Sequence, residues 1–237
     1  MLIPPDADSP VAVLLSGGLD SGILLMHLLQ GNHEVQPIYV ASGLYWEQAE
    51  LAALRHMLAV LAGPSLRGLV VLKMPIQDVY RDHWSVTGNN VPDAATGDEA
   101  VYLPGRNALL LLKPALWCQS HGLSQLALAS LKSNPFPDAT DRFFESFEQL
   151  LLTATGIRVR IWRPLAEMEK THVMRSGREF PLELTFSCID PIDGQHCGRC
   201  NKCQERRQAF LSAGLADPTA YAQAPLGEPR RQRRCSG

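Results

Sequence analysis

Two groups of residues in this chain have the types and spacing for chemistry: a Ser-Gly-Gly-Leu-Asp-Ser run near the N-terminus and a cysteine cluster near the other end. Ser16, Gly17, Gly18, Leu19, Asp20 and Ser21 lie between an aliphatic stretch at 11–15 and an apolar, helix-like stretch at 23–29. That order reads as strand, glycine turn, helix. Such a turn aims backbone N–H groups and a helix N-terminus at one point, which attracts phosphate. Gly17 and Gly18 permit angles and a close approach that a side chain would block. Ser16 and Ser21 offer hydroxyls to phosphate oxygens. Asp20, itself an anion, would orient the loop, cap the helix or help place a magnesium ion. No Gly-Lys-Ser/Thr follows, as it would in a lysine-bearing phosphate loop, and the Gly-x-Gly-x-x-Gly spacing of a dinucleotide site is absent. The expected ligand is ATP.

The chain has six cysteines: Cys118, Cys188, Cys197, Cys200, Cys203 and Cys235. The middle four follow the spacing C-x8-C-x2-C-x2-C. Four soft thiolates suit tetrahedral zinc and leave no open position, so the metal would be structural. An iron–sulfur cluster and a redox dithiol are competing readings. His196 is an alternative to one of the cysteine ligands. Gly198 allows a sharp turn after Cys197, and Arg199, Lys202, Arg206 and Arg207 would offset thiolate charge. Cys118 is expected in the core and Cys235 in a tail.

Single residues between these groups also point at anions. Arg106 stands at the expected start of an apolar helix, where positive charge is unfavourable unless an anion binds there. Lys132, Ser133, Asn134 and Asp138 follow an expected strand, at the strand end where open α/β sheets bind ligands. Lys170, on a short helix, is placed to reach a phosphate or a reacting carboxylate.

The elements that must position these groups read as follows. Strands are expected at 11–15, 35–40, 69–72, 126–130 and 158–162, and helices near 23–29, 45–61, 108–120, 141–152 and 168–175, with a kink at Pro114. Strand–helix alternation with buried-looking strands implies a five-stranded parallel α/β sheet covered by helices on both faces. Residues 75–100 lack periodicity and read as a partly ordered insertion or active-site loop. We expect an ATP-binding domain at 1–180, a zinc-binding helical subdomain at 181–215 and a disordered tail at 216–237, with a basic end at Arg230, Arg231, Arg233 and Arg234. The 237 residues are 46% apolar and 19% charged, with a net charge of -2. This gives no support to coating nucleic acid or an anionic membrane by charge. The longest apolar stretch is broken by Lys113 and Pro114, and the acidic, proline-rich N-terminus lacks the pattern of a secretion signal, so a cytoplasmic location is expected.

The Ser-Gly-Gly-Leu-Asp-Ser loop resembles that of the PP-loop ATP pyrophosphatases, which split ATP between the α- and β-phosphates. With Pro104-Gly105-Arg106-Asn107, Pro164-Leu165 followed by Lys170, Pro181-Leu182-Glu183-Leu184-Thr185-Phe186-Ser187-Cys188 and the run from Cys197 through Arg206, the chain resembles the 7-cyano-7-deazaguanine synthase family over residues 11–210. The resemblance implies a Rossmann-type three-layer fold of the adenine nucleotide α-hydrolase kind. It implies that Ser16, Gly17, Gly18, Asp20 and Ser21 cradle pyrophosphate, and that Cys188, Cys197, Cys200 and Cys203 hold zinc. It also implies that AMP is attached to the carboxylate of 7-carboxy-7-deazaguanine, that ammonia displaces it to give an amide, and that a second activation gives the nitrile, in service of queuosine-type modification. Asp20, Arg106 and Lys170 are the expected catalytic residues, magnesium would shield the pyrophosphate, residues 77–100 would cover the site, and a homodimer is expected only from the family. The stretch from Ala129 to Ala139 departs from the family: Pro137-Asp138 remains, but Ala139 replaces the family's cysteine and the usual Asn/Asp segment is rewritten and shorter. This suggests a diverged member acting on a modified or attached deazapurine, or adenylating another carboxylate altogether. Two other readings are a tRNA-thiolating PP-loop enzyme and an ATP- and zinc-binding partner protein without catalysis.

Overall fold

The computed structural model describes residues 3–6 and 9–224. Five strands form one sheet: β1 (Val11–Leu14), β2 (Val35–Ala41), β3 (Val70–Lys73), β4 (Gln125–Ala127) and β5 (Arg160–Trp162). Their order is β3-β2-β1-β4-β5, and every pairing is parallel. The chain therefore builds outward from β1 in one direction, then returns to its other side. The crevice at the carboxyl ends of β1 and β4 is where the order reverses, and there open α/β sheets bind ligands.

Among the described residues, eight α-helices accompany the sheet: α1 (Leu19–Gln30), α2 (Glu47–Val60), α3 (Gln77–Tyr80), α4 (Trp84–Thr87), α5 (Arg106–Ser120), α6 (Asp141–Thr155), α7 (Lys170–Ser176) and α8 (Asn201–Ala213). Successive residues of β1 point to opposite faces, and each face has its own core. Val11, Val13 and Leu15 pack with Ile23, Leu54, Val173 and Phe210 on one side, while Ala12 and Leu14 pack with Leu111, Phe144 and Phe147 on the other. This gives the expected three layers. All of β1 is buried, which explains why its sequence is uniformly apolar rather than alternating.

Local chemistry sets the element ends. Thr140 caps α6 by accepting the Phe143 N–H at 3.2 Å, and Gly156 stops it in the left-handed region. Helix α1 begins at Leu19 rather than Ile23, so Asp20 and Ser21 lie in its first turn. Pro114 lies inside α5, which runs on to Ser120.

Two segments are better packed than their composition suggests. Residues 75–100 form α3, α4 and a short 3-10 turn, and Trp84 stacks on Trp46 with ring centres 5.7 Å apart. The same segment bonds to the cysteine unit: Ala94 N donates to Arg199 O, and Asn201 Nδ2 donates to Thr96 O. Residues 217–223 pack onto that unit as well. Ala222 N and Gln223 N donate to His196 O and Cys197 O, and Tyr221 donates to Asp217. The four arginines expected to form a basic end, and Cys235, lie outside the described residues.

Helix α8 buries Ala209, Phe210 and Ala213 in the same core as β1 and α1. Phe210 is 2% exposed. Phe210→Ala should destabilise the fold by about 3–5 kcal/mol, read as a lower urea midpoint. A loss below about 1 kcal/mol would contradict a core shared by α8 and the sheet.

Candidate active site

The turn after β1 has the geometry its glycines require. Gly17 is left-handed at φ +76°, a region ordinary side chains disfavour, and Gly18 is extended before α1. Ser16 Oγ lies 3.2 Å from Ser21 Oγ and accepts the Gly18 N–H at 3.3 Å. No side chain caps α1, so the helix N-terminus faces the crevice with its donors available. Phe186 N donates to Gly17 O at 2.7 Å and ties this loop to the segment that leads into the cysteines.

The loop forms the floor of a cavity of about 320 Å³, into which Ser16, Gly18, Leu19, Asp20 and Ser21 contribute. Arg106 and Lys170 line it too, so the three expected catalytic residues come together from α1, α5 and α7. Lys170 Nζ bonds both Asp20 oxygens, at 2.8 and 2.9 Å. Glu205 stands 3.9 Å from Lys170 and pairs with Lys202. These contacts neutralise Asp20, which would otherwise repel a phosphate. Arg106 behaves differently: its Nε is buried and has no hydrogen-bond partner. A buried donor without a partner is costly, and an anionic oxygen in the cavity would satisfy it.

The four residues expected to touch substrate divide. Asn134 lines the cavity, and Ser133 lines an adjoining recess shared with Asp20, Lys202 and Glu205. Lys132 lines neither; its exposed ammonium lies 3.7 Å from Glu169. Asp138 lines neither because α5 uses it. Its carboxylate accepts Asn107 N at 2.9 Å, and its backbone carbonyl accepts Asn107 Nδ2. Residues 77–97 do not line the main cavity, and Asp98 reaches only the adjoining recess.

Cys188, Cys197, Cys200 and Cys203 are buried, with all four Sγ atoms within 4.8 Å of one another. The Cys188–Cys200 and Cys197–Cys203 separations are 3.8 and 3.9 Å. These are too long for disulfides but match the edge of about 3.8 Å expected for a tetrahedron of thiolates around zinc. Backbone N–H groups of Asp190, Cys197, Gly198, Arg199, Cys200 and Cys203 point at the sulfurs, as negative ligands require. The cluster could hold a metal ion. His196 is not among the ligands: its Nε2 accepts Ser187 N at 3.1 Å, and burial pushes its pKa down to about 3, keeping it neutral. Arg206 is 1% exposed and bonds Thr185, Leu182 O and Thr219. It therefore joins the turn before Cys188 to residues 217–223 instead of simply screening thiolates. Burial also pushes the Cys118 thiol up to about 12, so it is no ready nucleophile.

Sequence reasoning missed Tyr39, Trp46 and Glu50, which line the cavity. Tyr39 donates to Glu50 Oε2 at 2.7 Å. The available signal was an acid at a core-facing position of α2, four residues before buried Leu54. Burial pushes Glu50 up to about 7, opposed by the Tyr39 hydrogen bond and the charge of Arg106. Its folded pKa thus lies above the ordinary value of 4.5. Stability from this group is therefore fullest below that ordinary value and falls as pH rises through about 7. The loss approaches about 3 kcal/mol before any relaxation. Glu50→Gln should raise the melting temperature at about pH 8 and leave it nearly unchanged below about pH 4.5. An equal shift at both pH values would show that burial does not strain this carboxylate.

Comparison with known proteins agrees with this geometry. The family described as "Queuosine biosynthesis protein QueC" matches residues 10–214. A 7-cyano-7-deazaguanine synthase from Thiobacillus denitrificans is 31% identical over 221 residues, covering 89% of this chain and 97% of the relative. One from Azoarcus sp. is 33% identical over 227 residues, covering 90% and 98%. With the glycine loop, the Arg106 helix and the four-cysteine knuckle all inside the matched span, the chain belongs to the QueC family.

Proposed function

We propose that this protein is an ATP-dependent ligase that adenylates the carboxylate of 7-carboxy-7-deazaguanine, or of a close relative, and replaces AMP with ammonia. The product is the amide and, after a second activation, the nitrile. The observation that carries the reading is Arg106: among the described residues its buried Nε has no hydrogen-bond partner, and its side chain lines a cavity whose floor is the Ser16–Ser21 loop.

A carboxylate is a poor electrophile, and adenylation makes its oxygen a leaving group. In this reading the backbone of Gly17 and Gly18, with Ser16 and Ser21, binds the departing pyrophosphate. Arg106 and Lys170 stabilise charge at the α-phosphate as it transfers. Lys170 does so beside Asp20, the carboxylate that would hold a magnesium ion. That ion would supply charge shielding. Asn134 and Ser133 are the loop residues positioned for substrate. Apolar and aromatic walls from Trp46, Leu110, Leu128 and Phe186 exclude water that would hydrolyse the adenylate.

Zinc is the metal we assign to the four cysteines, in a structural role at 181–215 beside an ATP-binding unit at 1–180. Among the described residues no helix is long and apolar enough to cross a membrane, and we assign the enzyme to the cytoplasm.

The test is pyrophosphate release by the zinc-loaded protein with ATP and 7-carboxy-7-deazaguanine. Release dependent on that acid, with an acyl adenylate seen by mass spectrometry, is expected. Absence of any adenylate on that acid would overturn the reading. Arg106→Ala should lower kcat by about 100-fold. Metal analysis should find one zinc per chain. Chelation should lower the melting temperature, because metal held only by the folded state contributes folding energy.

A further inference from the structure

Three carboxylates line the main cavity: Asp20, Glu50 and Glu205. Two are already paired with cations. Lys170 holds Asp20 through both oxygens, and Lys202 and Lys170 flank Glu205. Glu50 accepts its hydrogen bond from a neutral phenol instead, the 2.7 Å contact from Tyr39. Among the described residues, no histidine or cysteine lines the cavity. A proton taken up inside this site therefore has one carboxylate free of an ammonium partner to go to.

We propose that Glu50 is the catalytic base that converts ammonium into ammonia inside the cavity. This rests on the adenylation reading above. Near neutral pH, dissolved ammonia is almost wholly ammonium, which is not a nucleophile. A buried carboxylate attracts that cation into the cleft. One N–H bond breaks, its proton passes to a Glu50 oxygen, and the electron pair stays on nitrogen. The nitrogen then bonds to the acyl carbon, the carbon–oxygen bond to AMP breaks with its electrons, and AMP's phosphate carries away the second proton. The amide and AMP account for all atoms, and Glu50 returns its proton to solvent before the next turnover.

The surroundings suit this exchange. Tyr39 faces Glu50 from β2, Glu47 from its own helix and Arg106 from α5, with the Trp46 indole beside it. Arg106 and Tyr39 favour the carboxylate, while burial and Glu47 favour the acid. The group is thus balanced near the pH at which it must both accept and release a proton.

The experiment compares full-length, zinc-loaded wild type with Glu50→Gln and Tyr39→Phe. ATP–pyrophosphate exchange driven by 7-carboxy-7-deazaguanine without ammonia reports adenylation alone. Amide formation from ammonium chloride across pH reports the second step. Hydroxylamine, already neutral near pH 7, replaces ammonium in a third assay. For Glu50→Gln, the ratio of amide formation to exchange should fall about 100-fold, and hydroxylamine should restore product formation. Wild-type amide formation should rise with pH and level off above about 7. Tyr39→Phe, which removes the bond favouring the carboxylate, should move that rise to higher pH. Amide formation in Glu50→Gln at the wild-type rate, equal loss of exchange and amide formation, or a wild-type rate that climbs on toward the pKa of free ammonia would each overturn the role of Glu50. Absence of exchange in wild type would instead overturn adenylation itself.

Discussion

A guanidinium buried to 1% exposure must find hydrogen-bond partners or the fold does not form. Arg206 finds them in Thr185, the Leu182 carbonyl, Ser187 and Thr219. Two of these belong to the turn that runs into Phe186, whose N–H holds the Gly17 carbonyl. A third belongs to the segment that closes over the cysteine unit. One satisfied charge therefore joins the start of α8, the phosphate loop and the segment at 217–223. Removing one partner of such a charge costs far more than a surface bond, so these parts hold their relative positions together.

The sheet was legible because parallel strands buried on both faces read as short aliphatic runs separated by helical periodicity. β1 and β2 match their expected positions within a residue or two, since nothing competes with burial there. The cysteine knuckle was legible for another reason: ligand spacing is local, so the chain carries it in order. What was not legible depended on long-range packing. Residues 75–100 look irregular because their order comes from Trp46, Arg199 and Asn201, not from a period of their own. Residues 217–223 are polar and proline-containing, yet Arg206 and the backbone of His196 and Cys197 hold them.

The candidate site shows the same division. The loop at Ser16–Ser21 is one contiguous stretch, and its role as the cavity floor follows from position after β1. Arg106 was readable as a cation at a helix start and Lys170 as one on a short helix, but only the structure shows that Lys170 is occupied by Asp20 while Arg106 retains an unpaired donor. Asp138 follows a strand, but a strand-end acid serves equally well at a helix start, and here it pairs with Asn107. Glu50 went unnoticed because a lone acid in a helix is usually solvated. Its burial follows from Tyr39, a neighbour on another element.

One wall of the cavity is built from the cysteine unit. Phe186, Ser187, Ile189, Lys202, Glu205 and Arg206 all line it, and all lie within three residues of a cysteine in the cluster. A metal held by all four thiolates would have no position left for substrate, yet the cysteines set where this wall stands. Lys202 and Glu205 sit in the first two turns of α8, so the helix start fixed by Cys200 and Cys203 also fixes the ionic chain that reaches Lys170 and Asp20. The four cysteines would thus bear on the proposed reaction without touching it, by holding one side of a cavity whose other side is the sheet.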